Sequence, residues 1–349
     1  MTAEIIRDIA PAITEFDPQR LDNFLKKHLP ELRGSMQLER IGGGQSNPTF
    51  FVTYPERRLV LRKRPKGKLL PSAHAVDREF RVLAALADTD VPVPKMVLFH
   101  ADDDVVGTPF YIMERLEGRV FSDSALPGVS PQDRRAMYLS VARALADLHT
   151  VDPVKLGLGD FGRPGNYFAR QTARWSRQWA EATTHDNPAL DMLVAWLPEH
   201  LPPDDGVVTI AHGDFRIGNL MFHPTEPRVV GVLDWELSTL GHPLADLGFC
   251  CLAWHTGPAE YQGVRGYDLA ALGIPSQEEF VAEYSKHVSH TGTLQIFHLV
   301  FALFRFAVIF AGIADRARAG SAASADAADV GKLGIAFAQR AVELLQTNS

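Results

Sequence analysis

The 349-residue chain predicts an α+β fold of two lobes: a small N-terminal lobe built on an antiparallel sheet and a mainly helical C-terminal lobe. Three observations carry this expectation. The length exceeds what one ordinary core fills. Short strand-like runs crowd residues 1–117, whereas helical periodicity dominates residues 118–349. Between the two patterns stands Glu117-Gly118, where the N-terminal lobe ends and the C-terminal lobe begins.

In the N-terminal lobe Leu21 to Leu29 reads as a short amphipathic helix. Met36 to Ile41, Phe50 to Tyr54 and Leu59 to Arg64 read as three strands joined by tight turns. Val76 to Leu86 has helical spacing, with Phe80, Leu83 and Leu86 on the expected inner face and Glu79 beside it. After a Pro-containing turn at Val91 to Pro94, Lys95 to His100 and Phe110 to Leu116 complete a five-stranded set. In the second lobe, helices are expected over Pro131 to His149, Tyr167 to Ala182 and Pro188 to Leu197, and again over Gln277 to Val288, Leu294 to Ala317 and Asp329 to Leu345. The run Ala317 to Ala328, rich in Ala, Gly and Ser, reads as a loose connection. No internal repeat is visible.

Composition excludes several classes. A net charge of −7 gives no basis for nucleic acid binding. Cys250 and Cys251 are neighbours and offer neither a disulfide framework nor a metal-ligand spacing, so reduced, buried thiols in a cytoplasmic protein are expected. Met1 to Ile13 interrupts its apolar residues with Glu4, Arg7 and Asp8, unlike a targeting segment. The most apolar run, Phe297 to Ile313, is short for a bilayer and contains Arg305; it reads as a buried helix rather than a membrane span. Arg305 then needs an acidic partner or a position turned to an edge, because an unpaired buried charge is costly.

The chemistry is concentrated in His212-Gly-Asp-Phe-Arg-Ile-Gly-Asn219 and Leu233-Asp234-Trp-Glu236. Asp214 and Asn219 can occupy opposite ends of one tight loop, and Val229 to Leu233 reads as a buried strand delivering Asp234 to the same place. One carboxylate to orient a hydroxyl, with an Asn and a second carboxylate to hold magnesium, is what ATP-dependent phosphoryl transfer requires. His212, just before Asp214, suits a loop-orienting hydrogen bond better than a nucleophile's role. Ile41-Gly-Gly-Gly-Gln-Ser-Asn47 lies between two expected strands, where Gly43, Gly44 and Ser46 would allow close backbone approach to phosphate. It lacks the Walker A pattern. In Val60-Leu-Arg-Lys63, alternation places Arg62 and Lys63 on opposite faces, so only one cation can point at phosphate and the other is expected in solvent.

These residues, with Leu61 to His74, Arg78-Glu-Phe-Arg-Val-Leu83, Gly165-Asn-Tyr-Phe-Ala-Arg-Gln171 and His212 through Leu247, resemble the aminoglycoside phosphotransferase and choline kinase-like family. Within it they are most similar to kinase-like domains associated with acyl-CoA dehydrogenases. The resemblance spans nearly the whole chain and implies a bilobal protein-kinase-like fold. It implies that Asp214 orients or deprotonates the acceptor hydroxyl, that Asn219 and Asp234 ligate magnesium, and that Arg62 contacts phosphate while paired with Glu79. It also implies that backbone groups of Glu114 and Leu116 hold adenine at a hinge spanning Met113 to Leu116, and that Asp246 braces the catalytic loop. Glu236 could support the metal or cap a local turn. His242 stands where many relatives carry Asp, and no catalytic role is assigned to it.

The expected activity is transfer of the ATP γ-phosphoryl group, with Mg2+, to a hydroxyl on a small molecule. Analogy with the dehydrogenase-associated relatives points to a hydroxy acid or hydroxyacyl-CoA and to an acyl-CoA dehydrogenase as partner. Arg170, Arg174 and Arg177 share a helical face, and Arg170 and Arg174 are candidate anchors for such an anionic acceptor. The alternatives are an aminoglycoside or aminoalcohol phosphotransferase, and a non-catalytic nucleotide-binding partner of a dehydrogenase. A protein kinase is disfavoured, since no Ala-Pro-Glu landmark or long activation segment follows Asp234.

Overall fold

The structure is a computed structural model that describes residues 15–42, 47–67, 74–182, 187–288, 292–318 and 327–347. The phosphate-loop candidates Gly43, Gly44 and Ser46, residues 1–14 and residues 319–326 of the expected Ala-Gly-Ser connection lie outside the described residues. The chain divides into two compact units, one of Met1–Gly118 with Val230–Glu236 and one of Arg119–Val229 with Leu237–Ser349.

The first unit is organised on an antiparallel sheet of β1 (Gln37–Arg40), β2 (Thr49–Thr53), β3 (Arg58–Lys63), β4 (Met96–His100) and β5 (Phe110–Glu114), in the order β1-β2-β3-β5-β4. Helix α1 (Pro18–His28) starts at Asp17, whose side chain accepts the Gln19 N–H, with Pro18 in the first turn. Its Leu21 and Leu25 join Phe50, Val52, Leu59, Leu61, Phe110 and Ile112 in one core. Helix α2 (Val76–Leu86) buries Val76, Glu79, Val82, Leu83 and Leu86. The expected inner face is therefore rotated. Phe80 is only half-buried, set against Phe99 and Tyr111, and Glu79 takes an interior place because polar partners await it there.

Along β3, Leu59, Leu61 and Lys63 share one face and Val60 and Arg62 the other. Lys63 is not in solvent, as the sequence had suggested, but fully buried. Alternation assigns it to the core face closed by Phe16, and its ammonium lies 5.8 Å from the Phe16 ring and 3.9 Å from the Glu15 carboxylate. Burial pushes its pKa down from the ordinary lysine value.

In the second unit β6 (Arg119–Val120) pairs with β8 (Leu220–Phe222), and β7 (Thr209–Ala211) with β10 (Thr239–Gly241); β9 (Val229–Val232) leads from this unit into the first. The helices are α3 (Pro131–Thr150), α4 (Tyr167–Ala180), α5 (Pro188–Glu199), α6 (Pro243–Cys250), α7 (Leu252–His255), α8 (Leu269–Leu272), α9 (Gln277–Ser285), α10 (Ile296–Arg318) and α11 (Ala327–Thr347). Helix α10 packs on α11, α6, α4 and α5. Its segment Ile296–Arg316 is long and apolar enough to cross a bilayer by length and composition, yet 72% of its most apolar window is buried within the protein. It serves as a core helix.

Arg305, midway along α10, is 9% exposed. The expected acidic partner is absent among the described residues: the guanidinium has no ion pair with any of them. It lies 5.8 Å from the Trp175 ring and 5.7 Å from that of Phe306.

The buried Lys63 ammonium makes no hydrogen bond among the described residues, whereas Glu15 has a second cation, Arg40, at 2.6 Å. A single carboxylate at 3.9 Å, itself shared with Arg40, does little to offset the desolvation of a buried ammonium. Lys63→Met is expected to hold or raise the thermal midpoint, measured by differential scanning calorimetry, and a fall of several degrees would show that Lys63 stabilises the sheet.

Candidate active site

The candidate catalytic loop of the second unit follows β7 directly. Asp246, in the first turn of α6, accepts the backbone N–H groups of His212 at 2.5 Å and Gly213 at 2.9 Å. His149 on α3 stands 3.6 Å from the same carboxylate, and its Nδ1 is 2.7 Å from the Tyr284 hydroxyl. Burial opposes ionisation of Asp246, but His149, His212 and the Gly213 N–H outweigh it and hold its pKa below the ordinary value. Gly213 has φ +84°, and a Cβ there would meet the Leu237 carbonyl at 2.8 Å, so the turn needs glycine.

This turn sets Asp214. Its N–H donates to His212 Nδ1 at 3.2 Å, which makes His212 an orienting group in the loop. Asn219, in a single 3-10 turn before β8, donates its side-chain amide to Asp214 Oδ2 at 2.7 Å and to the Asp214 carbonyl at 2.9 Å. Asp214 Oδ1 accepts no hydrogen bond among the described residues, and Arg216 Nε stands 3.5 Å away. Burial raises the Asp214 pKa, opposed by Arg216, His212, Asn219 and Arg305. The arrangement is a fixed carboxylate with one oxygen held and one reserved, suited to receiving a proton from a hydroxyl. Because the Asn219 nitrogen is tied to Asp214, its amide oxygen is left as the donor for a hard cation.

In the first unit Arg62 on β3 joins two carboxylates. Its Nε lies 2.8 Å from Glu79 Oε2 and its Nη2 2.8 Å from Asp234 Oδ1. Glu79 also accepts from Asn47 Nδ2 at 2.5 Å and the Tyr111 hydroxyl at 3.0 Å. Burial pushes Glu79 up from the ordinary carboxylate range, against the pull of Arg62. Asp234 has φ +63°, a left-handed conformation that non-glycine residues rarely adopt and that concentrates at functional positions. Trp235 anchors that turn through Nε1 to the Val232 carbonyl at 2.9 Å. Glu236, half-buried one residue on, adds to the negative field around Arg62.

Glu114 ends β5, its N–H committed to the Lys95 carbonyl at 2.8 Å and its carboxylate to Arg57 at 2.6 Å. Leu116 follows, half-buried. On α4, Phe168, Thr172, Trp175 and Trp179 face inward. Arg170 donates to the carbonyls of Arg163 at 2.6 Å and Pro164 at 3.2 Å, whereas Arg174 is exposed and stacks 5.0 Å from the Trp175 ring. His242 caps α6 by accepting the Leu244 N–H at 3.2 Å and pairs with Asp205. Of the cations that act on Asp214, Arg216 drew no separate reading because it lies inside the motif, and Arg305 was read only as a charge in an apolar run, not as a site residue.

Comparison with known proteins shows the family. The chain is 42% identical over 329 residues to mouse (Mus musculus) acyl-CoA dehydrogenase family member 10, covering 91% of this chain and 30% of that protein. It therefore spans less than half the length of that relative. A crystal structure from Ralstonia eutropha, whose name as an aminoglycoside phosphotransferase is provisional, is 45% identical with a TM-score of 0.86, covering 95% of this chain and 99% of that one. Spectinomycin phosphotransferase, solved with ADP and spectinomycin, is only 12% identical yet has a TM-score of 0.63 over 94% of this chain and 98% of its own, which shows the shared kinase-like fold. The phosphotransferase enzyme (APH) family model matches residues 37–284, well over half of the chain, and the protein belongs to that family.

Proposed function

We propose that this phosphotransferase is an ATP- and magnesium-dependent kinase of a small hydroxylated molecule, a hydroxy acid or hydroxyacyl-CoA. The observation that carries the reading is Asp214, buried, with Oδ2 held by Asn219 and Oδ1 free of hydrogen bonds among the described residues. The acceptor oxygen bonds to the γ-phosphorus as the bond from that phosphorus to the β,γ-bridging oxygen breaks. ADP departs with the electron pair, and the hydroxyl proton passes to Asp214. Arg62 holds phosphate oxygens, and backbone groups at Glu114 and Leu116 hold adenine. The oxygen donors of Asn219 and Asp234 fit a hard cation, and magnesium bound there would neutralise phosphate charge.

The acyl acceptor is supported by the kinship with acyl-CoA dehydrogenase family members, and an acyl-CoA dehydrogenase is the partner we infer. Arg174, exposed on α4, is the freer of two further acceptor contacts; Arg170 is engaged with its own loop. An ATP-consumption screen over hydroxy acids, hydroxyacyl-CoAs, aminoalcohols and aminoglycosides tests the reading. Turnover confined to the cationic acceptors would replace it with the antibiotic-kinase alternative, and none with any acceptor would favour a non-catalytic nucleotide-binding module.

Asp214→Asn should retain ATP binding and lose turnover by on the order of 10²–10⁴-fold. Because burial raises the pKa of Asp214, its ionised form opposes folding above the unfolded-state pKa; the Asn variant should be at least as stable at pH 7. Near-normal turnover would remove Asp214 from the mechanism.

Asp246 has the opposite sign. A carboxylate with a depressed folded pKa contributes stability above its unfolded pKa of about 3.9 and loses it as pH falls through the folded value. Asp246→Asn should therefore lower the denaturant midpoint at pH 7, with the gap to wild type narrowing below about pH 4. A constant gap across pH would assign the loss to packing alone.

Asp234→Ala should weaken magnesium-ATP affinity, read by calorimetry, because it removes a charged oxygen ligand from a hard cation. Unchanged affinity would shift that role to Glu236 or another group.

A further inference from the structure

Helix α10 is the most apolar long element of the chain, yet Arg305 sits among Leu303, Phe304, Phe306 and Ala307, all buried. Among the described residues the guanidinium has neither an ion pair nor a hydrogen bond. Trp175 and Phe306 offer it ring faces, which attract a cation but leave its planar fork of five donors unused. On the face of α4 that carries Trp175, three more buried polar atoms lack partners among the described residues: Thr172 Oγ1, Trp175 Nε1 and Ser176 Oγ. Trp175 Nε1 can only donate, and no carboxylate pairs with Arg305 among the described residues.

The site connects to the catalytic loop by contact. Arg216 stands 3.5 Å from Asp214 and stacks 4.8 Å from the Tyr261 ring. Tyr261 in turn packs on Phe306 with ring centroids 5.9 Å apart. Tyr261 and Gln262 are consecutive non-glycine residues at φ +65° and +60°, a backbone held against its preference to keep that ring in place. The Arg305 charge is felt at Asp214, whose carboxyl it helps to lower, and at the Tyr167 hydroxyl. Two arginines acting on Asp214 disfavour an ammonium beside it.

We propose that Arg305 is the acceptor-recognition residue: its guanidinium binds an acyl oxygen, carboxylate or thioester carbonyl, on the same molecule as the attacking hydroxyl. This rests on the kinase reading above and names the group that selects its substrate. The bidentate fork suits a planar acyl group, and the flanking Trp175 and Phe306 rings suit a short hydrocarbon between acyl carbon and hydroxyl.

The test uses the full chain with three acceptor series: straight-chain hydroxycarboxylates, their CoA thioesters, and diols in which a hydroxymethyl group replaces the carboxylate. Arg305→Gln should raise the KM of the preferred acyl series by roughly 10–100-fold, the worth of a charge-assisted hydrogen bond, with ATP affinity unchanged and the poor diols unaffected. Arg305→Lys, which keeps charge but loses the fork, should recover part of the selectivity, and it carries the same comparison if the Gln variant does not fold. A preference for acids or for thioesters tells which acyl oxygen is bound. An equal loss on acyl and diol acceptors, or wild-type preference for diols or aminoalcohols, overturns the proposal while leaving the phosphotransferase reading intact. Calorimetric binding of hydroxycarboxylate that Arg305→Gln abolishes, without phosphoryl transfer to any acceptor, would retire the kinase reading and keep this site.

Discussion

The second unit is arranged around one buried carboxylate. Asp246 receives two consecutive backbone N–H groups at the point where β7 turns into the catalytic loop, and it stands on the first turn of α6. A buried charge survives only when its lone pairs are met, so the positions of α6, the β7–β10 pair, His149 and Tyr284 are fixed together. Gly213 can then take its left-handed turn, and Asp214 is delivered with one oxygen already assigned to Asn219. The geometry of the candidate site is a consequence of satisfying Asp246, and only then of Asp214 itself.

Much of this was legible in the sequence because it rests on local pattern. The strands of the first unit and helices such as α2 and α3 announce themselves by periodicity, and His212 to Asn219 encodes a loop by its own spacing. Strands of two or three residues such as β6, β7 and β10, and helices of a single turn such as α7 and α8, are shorter than any period they could display. Lys63 was misjudged for a different reason. Alternation placed it correctly on the face opposite Arg62, but only the packing of Phe16 and α1 reveals that this face is the interior. Phe80 likewise yields its inner place to Glu79, since a helix turns to meet Tyr111 and Asn47 as readily as to bury a ring.

Local rules are broken where chemistry is expected. Asp234 and Tyr261 adopt left-handed backbones without being glycine. Asp214 is a carboxylate whose burial resists its charge, and Arg305 is a cation in the middle of an apolar helix. Each costs stability that the surrounding packing must offset, and none improves the fold. Lys63 departs from the same rules, but it faces the hydrophobic core of the first unit rather than a candidate site residue. A violation therefore identifies a site only when it stands near other chemistry.

That criterion also bears on the acceptor. The family name evokes cationic antibiotics, and a pocket for polyamines calls for carboxylates around the phosphoryl-accepting position. Here two cations act on Asp214: Arg216, 3.5 Å from its unassigned oxygen, and Arg305, linked to Arg216 through the Tyr261 and Phe306 rings. An anionic or carbonyl-bearing acceptor relieves that surplus, whereas an ammonium adds to it. Positive charge beside the Asp214 loop is thus the feature of this chain that bears on its acceptor.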